Sequence, residues 1–345
     1  MEQGKLLPIL CSRSVTNHRK QYMSKEVEIP KFAILIATRN RPKKIMLLLE
    51  SISKLTNQPL QIVIVSSGDS IEEEVAHFRG NLNIKYLHLS QKGQIRQKIA
   101  GLKQIDESAE WILLLDDDVI LNSDAIQLAL DSIENHPMSP NIVGVGFSEN
   151  GIQPRERRYT FEALSRAFNL TGDKGEVLKN GQNLSYMGGA ECISTSWLNG
   201  ISLWRRDVVM RYDIAFKNAK YSACEDLIFS YAAKNYGVLI YCPFAKYSFQ
   251  NDSKQSFVPY DIFRSISYWR LFFVLSNEEL SPLSLCWSQV VRTFSPSNYR
   301  GKNCIQNINE MVARVLIILD ILILIILQIP GVKILEMRLT DNSEN

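Results

Sequence analysis

Trp111-Ile112-Leu113-Leu114-Leu115-Asp116-Asp117-Asp118-Val119 is the stretch from which the rest of the chain is read. Five apolar residues run directly into three consecutive carboxylates, and apolar residues resume at once. A short apolar run bounded by polar residues is the pattern of a buried strand in a parallel sheet. The end of such a strand emerges at the carboxyl edge, where open α/β sheets bind their ligands. Side chains alternate along a strand, so Asp116 and Asp118 are expected on one side and Asp117 on the other. Adjacent carboxylates repel one another and are expensive to bury without a cation. A hard divalent ion with oxygen ligands, Mg²⁺ or Mn²⁺, resolves that cost. An acidic strand-to-helix turn, with Asn122-Ser123-Asp124 capping the next helix, accommodates the same residues without a ligand.

Outward from this stretch, the pattern repeats. Phe32 to Ala37 reads as a first buried strand, closed by Thr38-Arg39-Asn40-Arg41-Pro42. Pro42 suits the first turn of a helix, and Ile45, Leu48, Leu49 and Ile52 then form an apolar stripe at helical spacing. Leu60 to Val65 is a second strand ending at Ser66, followed by a helix from Ile71 to Arg79 with glutamates in its first turns, as the helix dipole prefers. Ile84 to Leu89 is a third strand, and a helix from Lys92 to Ile105 carries Arg96 and Lys98 near its start. The Trp111 strand is fourth, a helix from Ala125 to Ile133 follows, and Ile142 to Phe147 is fifth. This alternation predicts an α/β fold with a parallel, doubly wound sheet. From Ser148 to Ser196 the pattern breaks, and a connection of that length is uncommon unless functional. Trp197 to Arg206 reads as a strand entering a short helix, Glu225-Asp226 opens a helix reaching about Asn235, and Val238 to Tyr241 is a further strand. Phe263 to Leu275, rich in aromatics, is expected to pack as a helix on the sheet.

Composition excludes several classes. A formal charge of +3 on 345 residues is too small to argue for nucleic acid. The cysteines at 11, 192, 224, 242, 286 and 304 show neither a close pair nor metal-ligand spacing. They read as thiols of a reducing, cytoplasmic compartment. Residues 1–30 lack a signal-type apolar core and read as a flexible leader.

In order along the chain, Thr38 to Pro42, Arg96, Asp116-Asp117-Asp118, Trp197 to Arg206 and Glu225-Asp226 resemble the marks of glycosyltransferase family 2. The resemblance runs from about Phe32 to about Leu275. It implies a GT-A fold: a Rossmann-like, mostly parallel sheet flanked by helices, here with a C-terminal helical appendage. On this reading residues 31–280 are the glycosyltransferase domain, with 31–147 the nucleotide-binding half and 148–280 the acceptor half. The resemblance implies a nucleotide-sugar donor, inversion at the anomeric carbon, and a saccharide or lipid-linked saccharide acceptor. It places Thr38, Arg39, Ser66, Arg96 and Asp116 at the nucleotide, with Asp116 toward the ribose, and Asp118 with Asp116 at a Mn²⁺ or Mg²⁺ ion. It places Asp226 as general base with Glu225 beside it, and Trp197 and Gly200 along the acceptor. Read simply as residues, Asp226 is a first-turn acid on a helix dipole, Arg96 a solvated helix face, and the tryptophans core.

Three departures from the family pattern stand out. Ser66 occupies the end of the second strand, where the family usually has an aspartate for the base. No histidine follows His136 to help hold a metal; Phe249 and Gln250, with Asn251 and Asp252 near, occupy the expected region. The Gln-x-x-Arg-Trp sequence of processive synthases is absent, and Arg264-Ser265 stands where simpler members have Arg-Asn, which favours transfer of one sugar per encounter. A sugar nucleotidylyltransferase would require a glycine-rich loop after the first strand, and Thr38 to Pro42 contains no glycine. A family member without activity, serving as a carbohydrate-binding or assembly subunit, is the rival outside catalysis.

Residues 281–345 form the appendage. Val315 to Leu327 is the most hydrophobic segment, shorter than the roughly 20 residues a spanning helix needs and interrupted by Asp320. Arg292, Arg300, Lys302 and Arg314 precede it, and Lys333 and Arg338 follow. Basic flanks suit peripheral attachment at the inner face of a membrane. A helix buried against the catalytic domain accounts for the same sequence.

Overall fold

The computed structural model describes residues 30–152, 171–213, 222–250, 260–293 and 304–339. The expected leader, the arginines at 155, 157, 158 and 166, and Asn251-Asp252 lie outside them. The described residues from Lys31 onward form one compact unit.

Four strands set the frame: β1 (Phe32–Arg39), β2 (Gln61–Ser67), β3 (Ile84–Leu89) and β4 (Trp111–Asp116), parallel and ordered β3-β2-β1-β4. Between them run α1 (Pro42–Ser53), α2 (Glu72–Ala76) and α3 (Gln94–Leu102). Strand alternation sorts the apolar residues onto two faces. Ile34, Ile36, Ile62, Ile64, Leu113 and Leu115 pack with the α1 stripe Ile45, Leu48, Leu49 and Ile52. Leu35, Val63, Val65, Ile112 and Leu114 pack on the other face with Ile95 and Leu102 of α3. Each such side chain, fully buried, stabilises the fold by about 1.5–3 kcal/mol.

Beyond β4 the sheet becomes mixed. The short β5 (Val119–Leu121) and α4 (Ala125–Glu134) lead to β6 (Ile142–Glu149), and β7 (Ile193–Thr195) and β8 (Ser202–Arg205) follow. Next come α5 (Arg206–Val209), α6 (Glu225–Ala233) and β9 (Val238–Phe249). The expected fifth strand, β6, does not lie beside β4: β8 enters between them, antiparallel to both. Trp204 is the hinge of that insertion, opposite Ile112 on one side and Gly144 on the other. A Cβ at Gly144 would lie 2.8 Å from the Trp204 ring, so only glycine admits the indole there. Trp197 to Gly200 precedes β8 as irregular chain, so the strand expected from Trp197 starts at Ser202. β9 is far longer than the four residues expected. Its first half pairs with β6 and β7, and its second half, beyond Pro243, pairs with β6 and β5 after a register shift.

The sheet also brings together two cysteines remote in sequence. Burial and the adjacent Cys242 thiol push Cys192 up to about 12, and both remain free thiols.

Among the described residues four further helices follow: α7 (Tyr260–Leu275), α8 (Pro282–Thr293), α9 (Cys304–Ile326) and α10 (Gly331–Leu339). Trp269 and Phe272 of α7 share one core with Ile317, Ile321 and Leu324 of α9 and Ile334 and Leu335 of α10.

Candidate functional site

The three aspartates do not share one environment. Asp116 ends β4 with the parity of Ile112 and Leu114, which puts its carboxylate on the α3 side. Gln94 of α3 donates to it at 3.3 Å. The chain of Gly200 passes so close that a Cβ there would sit 3.0 Å from Asp116 Oδ2. Asp117 takes the opposite face. It is buried and accepts hydrogen bonds from Thr38 Oγ1 and Arg41 Nη1, each at 2.7 Å. Alternation predicts Asp118 beside Asp116, yet its carboxylate lies 3.7 Å from Arg41 and 3.7 Å from Lys44, on the Asp117 side. The reason is that β4 ends at Asp116 and the chain turns through Asp117-Asp118 into β5. Gln250, at the end of β9, fixes that turn. Its N–H donates to Asp118 O at 2.8 Å, and its side-chain amide donates to Lys44 O and Val119 O.

Across from Asp116, α6 begins at a left-handed Cys224 and presents Glu225 and Asp226 in its first turn. Glu225 is buried and doubly engaged: Lys98 Nζ lies 2.5 Å from one oxygen, and Tyr212 donates its hydroxyl to the other. Burial pulls the buried Lys98 down, but Glu225, Asp116 and Asp226 outweigh it, so its pKa lies above the ordinary value. Asp226 is treated differently. Among the described residues its carboxylate takes one hydrogen bond, from Leu227 N–H at 2.8 Å. Desolvation, and then the Glu225 charge, push its pKa up to about 6 against the pull of the Leu227 N–H bond and then of Lys98. Desolvation also raises Asp116; Lys98 opposes this, and Glu225 adds to it. A carboxylate poised near neutrality beside a fixed cation is chemically a proton acceptor.

The remaining expected residues fall around this centre unevenly. Thr38 is buried and its hydroxyl is given to Asp117, while Arg39 is exposed at the end of β1. Ser66 is buried at the end of β2, bonded to Tyr86 Oη at 2.6 Å and His88 Nδ1 at 3.0 Å. Arg96 pairs with Gln91 at the start of α3. Trp197 donates its indole N–H to Leu184 O at 2.9 Å and packs against Tyr186, in the core.

Sequence reading assigned no role to four contributors: Lys98, Tyr212, Arg41 and Gln97. The buried Gln97 amide bridges Thr38 O and Val65 O, tying α3 to β1 and β2. Lys98 did leave a signal. It lies between Ile95 and Leu102 on the apolar face of α3, where a lysine requires a buried partner.

A divalent cation can be tested against these groups. Among the described residues, no three His, Cys, Asp or Glu side chains converge to hold a metal ion. Asp118 is partly exposed and offers carboxylate oxygens, and the cations near it stand at 3.7 Å rather than in tight contact. One carboxylate together with substrate phosphates suffices for Mg²⁺-type ions. The donor set therefore fits an ion shared with a bound diphosphate, not an all-protein cage.

Residues 33–202 match the family model described as Glycosyl transferase family 2. No curated protein sequence matches the chain. Among solved structures, S. aureus TarS 1-349 in complex with UDP-GlcNAc is 19% identical with a TM-score of 0.50, over 83% of this chain and 81% of that one. The same protein in complex with UDP is 20% identical at a TM-score of 0.50, covering 78% and 74%. The mannosyltransferase PcManGT from Pyrobaculum calidifontis, in complex with GDP-Man and Mn²⁺, is 12% identical at a TM-score of 0.50, covering 84% and 81%. These likenesses agree with the α/β sheet flanked by helices. The chain carries a family 2 glycosyltransferase domain.

Proposed function

We propose that this glycosyltransferase moves a hexosyl group from a nucleotide sugar to a hydroxyl of a saccharide or lipid-linked saccharide. The products would serve cell-surface polysaccharide synthesis. The observation that supports this most is the pair Glu225 and Asp226: one carboxylate neutralised by Lys98, the other left basic at about 6 within electrostatic reach of Asp116. The donor is placed at the carboxyl ends of β1, β2 and β4, with Arg39, Ser66 and Arg96 near the nucleotide and Asp116 toward the ribose. Asp118 would hold a Mn²⁺ or Mg²⁺ ion, which supplies Lewis-acid stabilisation of charge on the departing diphosphate.

The reaction then follows from the positions of the carboxylates. An acceptor hydroxyl attacks the anomeric carbon while its proton passes to Asp226. The bond from that carbon to the diphosphate oxygen breaks, and its electron pair leaves with the nucleoside diphosphate. Attack opposite the leaving group inverts the centre. Glu225 cannot take the proton without breaking its bonds to Lys98 and Tyr212, so it positions α6 instead. Gly200 keeps the chain close to Asp116 without a side chain in the way.

The test is a melting screen with UDP-, GDP- and dTDP-sugars, each with Mn²⁺, Mg²⁺ or chelator. A donor at 100 times its Kd stabilises the folded state by about 2.7 kcal/mol. The stabilising donor should then be hydrolysed slowly without acceptor. Failure of every donor to shift the melting temperature would leave the chain as a carbohydrate-binding or assembly subunit.

A further inference from the structure

The short strand β7 hangs off the main order of the sheet by its pairing with β9. The pairing is antiparallel and sets Ile193 opposite Tyr241, Ser194 opposite Ile240 and Thr195 opposite Leu239. Carried one step back, that register sets Cys192 opposite Cys242. Residues directly opposite in an antiparallel pair share a face, with Cα atoms about 4.5–5.5 Å apart. A disulfide spans Cα separations of about 4.4–6.8 Å, so the ladder already has the spacing of a bridge. The side chains have also met. The two thiols share a hydrogen bond, and Ser132 of α4 bonds to Cys192. Cys242 Sγ donates to Leu128 O at 3.7 Å, which seats the pair between the sheet and α4. Cys224, by contrast, faces Arg270 at 3.6 Å, and Cys286 is buried on α8.

Access to the two sulfurs differs. Cys242 is fully buried, whereas Cys192 is half-buried and follows the exposed Gly189, Ala190 and Glu191. We infer that Cys192 and Cys242 are a site of reversible oxidation, closing to a disulfide by exchange with a small-molecule disulfide such as oxidised glutathione. Cys192 gives its proton to solvent, and its thiolate attacks one glutathione sulfur. The glutathione S–S bond breaks and one glutathione thiolate leaves. Cys242 then loses its proton and attacks the Cys192 sulfur of the mixed disulfide, releasing the second glutathione thiolate. Both leaving thiolates take up the protons, so two cysteine thiols are oxidised and one glutathione disulfide is reduced to two thiols. Burial, and then the Cys242 thiol, hold Cys192 mostly protonated at neutral pH, so exchange is slow there and quickens as pH rises. A pair whose thiolate is disfavoured also has little to lose by closing.

The bridge would fix β7 to the joint of β9, just where the pairing of β9 with β6 changes register. The same connection runs on through Trp197, bonded to Leu184 O, to Gly200 against Asp116. Local opening of β7 loosens that connection, and the bridge bars it.

The test uses the full chain and no sugar, so it stands apart from the donor screen. Folded and urea-unfolded chains are incubated with oxidised glutathione at about pH 8.5, where more thiolate is present. Both are then digested without reduction and mapped by mass spectrometry. The folded chain should give the Cys192–Cys242 linked peptide as its main disulfide, and the unfolded chain a mixture of linkages. Closing a loop of about 50 residues should raise the melting temperature by about 4–8 °C. Dithiothreitol should reverse the rise, and Cys192→Ser, at the half-buried end of the pair, should abolish it. Free thiols at both positions, or a glutathione adduct on Cys192 that never closes, overturn the inference. So does the same mixture of linkages from folded and unfolded chains, or an equal rise in Cys192→Ser.

Discussion

Asp117 and Asp226 each lie within electrostatic reach of Asp116, and the fold treats them in opposite ways. The Asp117 carboxylate is held by a threonine hydroxyl and a guanidinium, and Gln250 donates to its backbone oxygen. Around Asp226 the strongest influences are loss of water and a second carboxylate, and Lys98, whose charge it feels, is already bound to Glu225. The first corner holds β4 against α1. The second keeps a carboxylate uncomfortable, a condition that costs stability and suits proton transfer. A carboxylate that is fully satisfied has little reason to take a proton from a substrate.

The largest expected effect breaks this contrast at its functional end. Asp226→Asn should lower transfer by about 10²–10⁴-fold, the contribution of a positioned general base. Nucleotide affinity, read by calorimetry, should be unchanged. Stability should move the other way. A carboxylate whose folded pKa is raised stabilises fully below the unfolded value near 4, and that contribution is lost as pH rises through about 6. At pH 8 the wild type therefore carries a charge it disfavours, and the asparagine variant should melt higher; at pH 4 the two should coincide. A variant that is inactive and also less stable at pH 8 would make Asp226 structural.

Lys98→Met is next. It leaves Glu225 buried with only Tyr212, and an uncompensated buried charge costs about 3–5 kcal/mol. The acid limb of the pH–rate profile should also move upward, since Lys98, after the Leu227 N–H bond, pulls the Asp226 pKa down. Adding Glu225→Gln should restore much of the stability. If the single variant melts like wild type, the Lys98 pair is not the support of α6.

How far these corners could be read beforehand depends on the range of the interactions. The runs Phe32–Ala37, Leu60–Val65 and Trp111–Leu115 announce a parallel sheet because those strands are buried on both faces, while Ile84–Leu89, at the sheet edge, is only partly buried. The family resemblance singled out Glu225-Asp226 as the acceptor-side pair, with Asp226 as the expected base. β8 could not be read between β4 and β6, because that placement is a matter of pairing across the chain, with Trp204 lying against Gly144. Arg96 drew attention where Lys98 deserved it, since charge alone does not tell an exposed cation from a buried one. The apolar neighbours Ile95 and Leu102 do. Asp118 parted from Asp116 because alternation holds only while the strand lasts.

Asp117→Asn should have a smaller effect than Lys98→Met, because the amide keeps one acceptor for Thr38 or Arg41. Loss of a charged hydrogen bond predicts about 1–3 kcal/mol of destabilisation with little change in turnover at temperatures where the variant is folded. Asp118→Asn should show the converse: near-wild-type stability and weaker metal-dependent binding of nucleoside diphosphate. Equal losses of nucleotide binding in both variants would erase the distinction between clamp and ligand.

The smallest effect expected is that of Gly200→Ala, and it probes the space between the two corners. Replacing glycine with alanine at a tolerant position stabilises by about 0.4–1 kcal/mol through the unfolded chain. Here the new methyl would stand 3.0 Å from Asp116 Oδ2 and 3.4 Å from Oδ1, so the carboxylate must yield by a few tenths of an ångström. These terms nearly cancel, and the melting temperature should stay within about 2 °C of wild type. Catalysis has no such compensation. A misplacement of about 1 Å at a reacting centre can cost about 10²-fold, so a shift of a few tenths should lower kcat/KM several-fold. An alanine variant with full activity would mean that Asp116 can move freely, and that its orientation is set by the bound nucleotide and not by the chain at Gly200.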